Sequence, residues 1–220
     1  MWKLHDDVSL DFQLNRLVTL GGGDLEEVRA VASRIDSLDD WKREFLALAD
    51  QALGEGRKEH AAAYLRAAEF FMAPGDPDKM EAYDRQAALF REIVAEDLEA
   101  GRLQETRVAY EGGYLPAWHL RLPEGQASRG TIVVHGGFDS YAEELFSLVA
   151  HVPARGYEAI LFEGPGQGAV IRKQGIAFTT QWERPVAAVL DHFGLSDVTL
   201  VGISLGGYLA TRAAAFEPRV

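Results

Sequence analysis

The sequence predicts an α/β protein: a parallel sheet with crossover helices and an N-terminal β-hairpin, preceded by a domain of helices alone. Three observations carry this expectation. Through the first hundred residues apolar positions recur at intervals of three and four, while Val, Ile and Thr are sparse. After about Glu105 short β-rich runs bounded by glycine take over. Those runs then alternate with helix-length stretches, the order of a parallel sheet with crossovers. The expected division is therefore a helical domain over 1–105 and a sheet domain over 106–220.

In the first part, weaker helical patterns lie before Leu20 and between Asp24 and Ile35. Trp41, Phe45, Leu48, Ala49 and Ala52 then form one stripe, with Asp39 and Asp40 expected as N-terminal caps and an end near Gly54 and Gly56. A helix over Ala61 to Met72 follows, with Tyr64, Leu65, Ala68, Phe71 and Met72 on one face. Ala73-Pro74-Gly75-Asp76-Pro77 stops it. The stripe Tyr83, Ala87, Phe90, Val94, Leu98 predicts one more helix, ending at Gly101. The helix pair around Trp41 and Tyr64 resembles a solenoid repeat, with no second copy at a fixed period.

In the second part, Arg107–Tyr110 and Tyr114–Leu122 flank Glu111-Gly112-Gly113 and read as a hairpin, because paired glycines supply the positive φ of a tight turn. Thr131–Val134, Ala159–Phe162 and Val198–Val201 are continuous apolar runs of the kind buried on both faces of a sheet. Helices are expected over Ala142–Val152 and roughly Gln181–Phe193, with Pro185 in the first turn of the latter. Gly207–Phe216 completes the alternation.

Composition narrows the function classes. A length of 220 residues with 47% hydrophobic and 25% charged residues and a mean hydropathy of -0.12 is ordinary for a globular chain. No apolar run approaches the ~18–20 residues of a membrane helix, and the N-terminus Met1-Trp2-Lys3-Leu4-His5-Asp6-Asp7 lacks the apolar core of a secretion signal. A cytoplasmic location is the default expectation. The 22 Lys and Arg against 34 Asp and Glu leave a net charge of -12, which repels a phosphate backbone. Neither nucleic acid nor membrane is therefore an expected partner, and a homo-oligomer is compatible with the composition. Without cysteine there is no disulfide, thiolate nucleophile or Cys-ligated metal, and no His-x-x-x-His spacing suggests another metal site.

The sharpest chemical signal is Gly202-Ile203-Ser204-Leu205-Gly206, directly after one predicted strand and directly before one predicted helix. A serine on so tight a turn takes a strained backbone and needs small residues two before and two after it. Its hydroxyl then stands above the sheet's C-terminal edge, and the Leu205 N–H at the helix start faces a developing oxyanion. A chance Gly-x-Ser-x-Gly in a turn is the plain alternative, which the strand before and the helix after disfavour. Next, His135-Gly136-Gly137-Phe138-Asp139 ends another strand, where Gly137 or Phe138 is the expected second oxyanion donor. His135 reads as a structural residue bonded to backbone. Asp139 reads either as the N-cap of the next helix or as an auxiliary acid beside a substrate carbonyl.

A third glycine-rich turn, Phe162-Glu163-Gly164-Pro165-Gly166-Gln167-Gly168, invites a dinucleotide reading. Ala169 or Ile171 takes the place of the last required glycine, and no helix is expected to open there. No cofactor is expected. The turn is read instead as a loop above the active site.

These three motifs, His135-Gly136-Gly137, Glu163-Gly164-Pro165-Gly166-Gln167-Gly168 and Gly202-Ile203-Ser204-Leu205-Gly206-Gly207, in this order, resemble the α/β-hydrolase fold. With the N-terminal helices carrying Tyr64-Leu65-Arg66-Ala67-Ala68, the chain is similar to an esterase and C–C hydrolase group. That group includes 2,6-dihydroxypseudooxynicotine hydrolase, the FrsA-like proteins and fungal polyketide-shortening hydrolases. The resemblance covers nearly the whole chain. It implies a small, apolar or aromatic carbonyl substrate, cleaved at an ester or at a C–C bond beside a ketone, with the helical domain as a cap over the pocket. Ser204 would be the nucleophile, Leu205 with Gly137 or Phe138 the oxyanion hole, and Asp139 the acid that assists a carbanion leaving group.

One departure from the family pattern matters. The triad of this fold runs Ser, then Asp or Glu, then His, yet sixteen residues follow Ser204. The expectation is that the chain is the N-terminal part of a longer enzyme and that its triad acid and histidine come later. The competing function class is a non-catalytic binding or regulatory protein on the same scaffold, since fold does not fix function.

Overall fold

A computed structural model describes residues 1–220. They form two compact units, Met1–Ala95 and Glu96–Val220.

The first unit holds five helices: α1 Val8–Thr19, α2 Leu25–Ala32, α3 Leu38–Gly54, α4 Lys58–Phe70 and α5 Lys79–Ile93. Side chains that accept the unpaired N–H groups of a first turn start three of them. Asp7 caps α1 and Asp24 caps α2, while Ser37 caps α3 by accepting the Asp40 N–H. The caps expected at Asp39 and Asp40 are thus first-turn residues, placed where carboxylates meet the positive end of the helix dipole. Helix α4 is buried all round from Ala61 to Glu69, because its alanines let neighbouring helices approach closely. Trp41, Phe45, Tyr64 and Leu65 fill the centre, and the Trp41 indole N–H donates to the Ala67 carbonyl at 2.7 Å.

The stripe expected as one helix from Tyr83 to Gly101 is two. Val94 leaves the helical conformation after α5, and α6 spans only Ala95–Glu99. The division between units also falls ten residues before the expected 105/106 boundary. The residues around 96–102 are tied to the sheet: Arg102 pairs with Glu96 and Asp97, and its carbonyl accepts the Arg121 N–H at 2.8 Å.

The second unit is a five-stranded sheet: β1 Leu103–Tyr110, β2 Gly113–Leu120, β3 Thr131–His135, β4 Glu158–Phe162 and β5 Thr199–Gly202, in the order β1-β2-β4-β3-β5. β1 and β2 are antiparallel to each other, β2 is antiparallel to β4, and β3 runs parallel to both β4 and β5. The hairpin turn is Glu111-Gly112, with φ of 44° and 80°, which suits a two-residue turn that needs positive φ twice. Gly113 instead belongs to β2, where a Cβ would lie 2.4 Å from the Gln174 side chain.

Helix α7, Ala142–Val149, links β3 to β4; α8, Gly168–Gln174, and α9, Glu183–Phe193, link β4 to β5; and α10, Leu205–Ala214, follows β5. Two expectations change here. Helix α8 opens in the third glycine-rich turn, where none was expected, with Val170 packed into the core. β5 comes last in the strand order of residues 1–220, and Val201 on it is 39% exposed, whereas its apolar run suggested burial on both faces. No helix is long and apolar enough to cross a membrane.

Candidate active site

Parallel pairing sets His135 of β3 opposite both Phe162 of β4 and Gly202 of β5. The three glycine-rich motifs therefore emerge side by side at the C-terminal ends of the parallel strands, where ligands of open α/β sheets bind.

Ser204 stands between β5 and α10 with φ 61° and ψ -125°. An L-residue rarely holds this conformation, and such strain collects at functional sites. Its neighbours explain how the turn closes. A Cβ on Gly202 would sit 1.9 Å from the Gly206 carbonyl oxygen, and one on Gly206 would sit 2.5 Å from the Gly136 oxygen. Only glycine fits at either place. The Ile203 N–H donates to the His135 carbonyl at 3.1 Å, stitching the turn to β3.

The loop after β3 packs directly on this turn. A Cβ on Gly137 would lie 2.7 Å from both the Ile203 oxygen and the Leu205 nitrogen. The Gly137 N–H donates to Ser140 Oγ at 2.8 Å, which removes Gly137 as an anion donor and leaves Phe138 of the two candidates. The N–H groups of Phe138 and Leu205 have no acceptor within the chain. Leu205 is the first residue of α10, so the helix dipole adds to its N–H. The Phe138 ring is 63% exposed and stacks on Phe178 at 5.8 Å, which in turn stacks on the buried Trp182 at 6.3 Å.

His135 is fully buried. Its Nδ1 lies 2.9 Å from the Gly136 carbonyl, and its Nε2 accepts the Trp182 indole N–H at 3.2 Å. These partners require the neutral Nδ1–H tautomer, and burial pushes the ring's pKa down to about 4. Both ring nitrogens are engaged, as a structural role requires. Asp139 has a φ of 55° and is not the N-cap of α7; that position belongs to Tyr141, and the Ala142 N–H is satisfied at 3.0 Å by Glu163.

Glu163, Gln167, Ser140 and Trp182 organise the site, and sequence reasoning assigned none of them a role. Buried Glu163 accepts the N–H of Ala142 at 3.0 Å and that of Ala169 at 2.7 Å, at the starts of α7 and α8. Because α8 does open here, the absence of a helix no longer argues against a phosphate site. The Glu163 carboxylate does, since it already occupies the N–H groups an anion would use. Buried Gln167 donates from Nε2 to the Gly136 and Gly137 carbonyls at 2.7 and 3.0 Å, and its Oε1 accepts the Gly164 N–H at 2.9 Å. A polar side chain inside a run of glycines was the available signal. No three His, Asp or Glu side chains gather to hold a metal ion.

Residues 132–220 match the family model described as alpha/beta hydrolase fold. Among curated proteins, the chain is 33% identical to hydrolase acrC of Aspergillus aculeatus, over 100% of this chain and 61% of that protein. Solved structures are similar as well, two of them over nearly the whole chain. The 2,6-dihydroxy-pseudo-oxynicotine hydrolase aligns with a TM-score of 0.70 at 24% identity, over 93% of this chain and 62% of its own. AbyA5 aligns with a TM-score of 0.77 at 22% identity, over 97% and 60%. The chain thus spans about 60% of the length of these relatives.

Proposed function

The chain has the α/β-hydrolase fold, and from that premise we propose that it serves a serine hydrolase in which Ser204 attacks a substrate carbonyl carbon. The observation that carries the reading is the conformation of Ser204 at the head of α10, beside two N–H groups without acceptors, those of Phe138 and Leu205. As Ser204 Oγ bonds to the carbonyl carbon, the oxygen gains negative charge. Phe138 and Leu205 N–H groups donate to it, and such donors strengthen as charge develops.

The serine proton needs a base. His135 is held neutral in the core with both nitrogens bonded, so it does not serve. The other histidines of this unit lie on β2 (His119), after α7 (His151) and in α9 (His192). We assign the base and its acid partner to residues outside 1–220. The substrate is a small carbonyl compound with an apolar or aromatic acyl part, which the exposed Phe138 ring suits. Ester hydrolysis and cleavage of a C–C bond beside a ketone share this nucleophile and this oxyanion site.

The test is labelling of the full-length protein with a fluorophosphonate, followed by mapping of the modified peptide. Adduct formation on Ser204, with loss of label and turnover in Ser204→Ala, is the expected result. Turnover unchanged in Ser204→Ala overturns the nucleophile assignment. A folded protein that neither labels nor cleaves p-nitrophenyl esters or β-diketones is instead a binding scaffold.

A further inference from the structure

We propose that Gln167 is a positioning residue that sets the orientation of the Phe138 N–H. The inference rests on reading Phe138 and Leu205 as the oxyanion donors.

In a trans peptide the carbonyl and the N–H point in opposite directions. The Gly137 carbonyl and the Phe138 N–H belong to one peptide group, so whatever holds that carbonyl aims that N–H. Gln167 Nε2 holds it at 3.0 Å and holds the preceding carbonyl, Gly136, at 2.7 Å. The Gly136 plane is fixed twice more, by His135 Nδ1 on its oxygen and by Ser140 Oγ on the Gly137 N–H. The Gly137–Phe138 plane has Gln167 as its side-chain anchor. With glycine on one side, that plane is free to rotate once the anchor is gone.

The geometry also explains why an amide is needed at 167. Two carbonyl oxygens face one nitrogen, and a primary amide supplies two N–H donors there together with an acceptor for the Gly164 N–H. The side chain is 1% exposed, so water does not substitute for it. The other cross-links between these loops reach elsewhere: Glu163 binds the Ala142 N–H, and the Gly168 N–H binds the Ser140 carbonyl at 3.1 Å. A carboxylate at 167 would set negative charge against two carbonyl oxygens and regain one donor only when protonated.

The experiment compares wild type with Gln167→Met and Gln167→Glu in the full-length protein, using p-nitrophenyl acetate and p-nitrophenyl benzoate. Met fills the same space without the amide. For Gln167→Met, kcat is expected to fall about 100-fold, the scale of an ångström misplacement at a reacting centre, with KM within about threefold of wild type, as for an interaction made in the transition state. For Gln167→Glu, the deficit relative to wild type should shrink as pH falls from 8 to 5.5, roughly the range over which a buried carboxyl regains its proton. Unchanged kcat, a loss confined to KM, failure of Gln167→Met to fold, or a pH-independent Glu deficit each overturns the proposal. Wild-type turnover in Ser204→Ala is a separate result, and it removes the hydrolase reading whatever the Gln167 variants do.

Discussion

Gly137 and Leu205 touch through their backbones: a Cβ on Gly137 would lie 2.7 Å from the Leu205 nitrogen. Gly137→Ala therefore cannot be absorbed by a side-chain shift, because the atoms it meets are all main chain. The loop must retreat, taking the Phe138 N–H away from the anion site proposed for it and Leu205. Turnover of ester substrates is expected to fall at least ~100-fold, the effect of losing one oxyanion donor. Steady-state kinetics of the folded variant checks it, and activity within tenfold of wild type would remove this contact from the mechanism.

Ser204 holds a conformation that costs an L-residue roughly 1–3 kcal/mol. Glycine releases that strain, offset in part by the greater chain entropy it loses on folding. Ser204→Gly should raise the unfolding free energy by roughly 1 kcal/mol over Ser204→Ala, while both lose activity. Chemical denaturation of the two variants side by side decides it.

His135 gives a pH dependence with a defined sign. Its folded-state pKa, about 4, lies below the unfolded value of 6.5 because burial disfavours the cation. The unfolded chain thus takes up the proton first as pH falls. Stability from this group is complete above about 6.5 and is lost progressively down to about 4. Between pH 7 and 4, wild type should lose about 3 kcal/mol more than His135→Gln, at 1.36 kcal/mol per pKa unit. Parallel stability curves for the two proteins would contradict the assignment.

The exposed ring of Phe138 separates binding from chemistry, since its N–H survives substitution. Phe138→Ala should raise KM for benzoyl esters roughly fivefold to tenfold, the scale of one lost aromatic contact, and leave acetyl esters nearly unchanged. An equal effect on both esters would show that the ring shapes the loop and does not meet the acyl group.

Local chemistry made much of this protein legible from its residues alone. Apolar periodicity marked α1 to α5, the short β-rich runs marked all five strands, and Gly-x-Ser-x-Gly between a strand and a helix singled out Ser204. Each of these signals is carried by neighbours within a few positions, so it survives without knowledge of the fold. The misplaced elements also had local causes hidden by competing patterns: Ser37 took the cap from two aspartates, Val94 broke a continuous stripe, and α8 opened among glycines.

Only the tertiary structure decided which groups share the site. His135, Phe162 and Gly202 lie far apart along the chain and become neighbours because parallel pairing puts them in register. Within the loop after β3, a bond spanning three residues separated the candidates the motif had left equal: Ser140 Oγ took the Gly137 N–H, and the Phe138 N–H was left without an acceptor. Gln167 acquired its partners only through the tertiary fold, from a loop some thirty positions earlier in the chain. Sequence spacing records which residues can form an element, but a buried donor is satisfied by whatever acceptor the packed fold brings within about 3 Å.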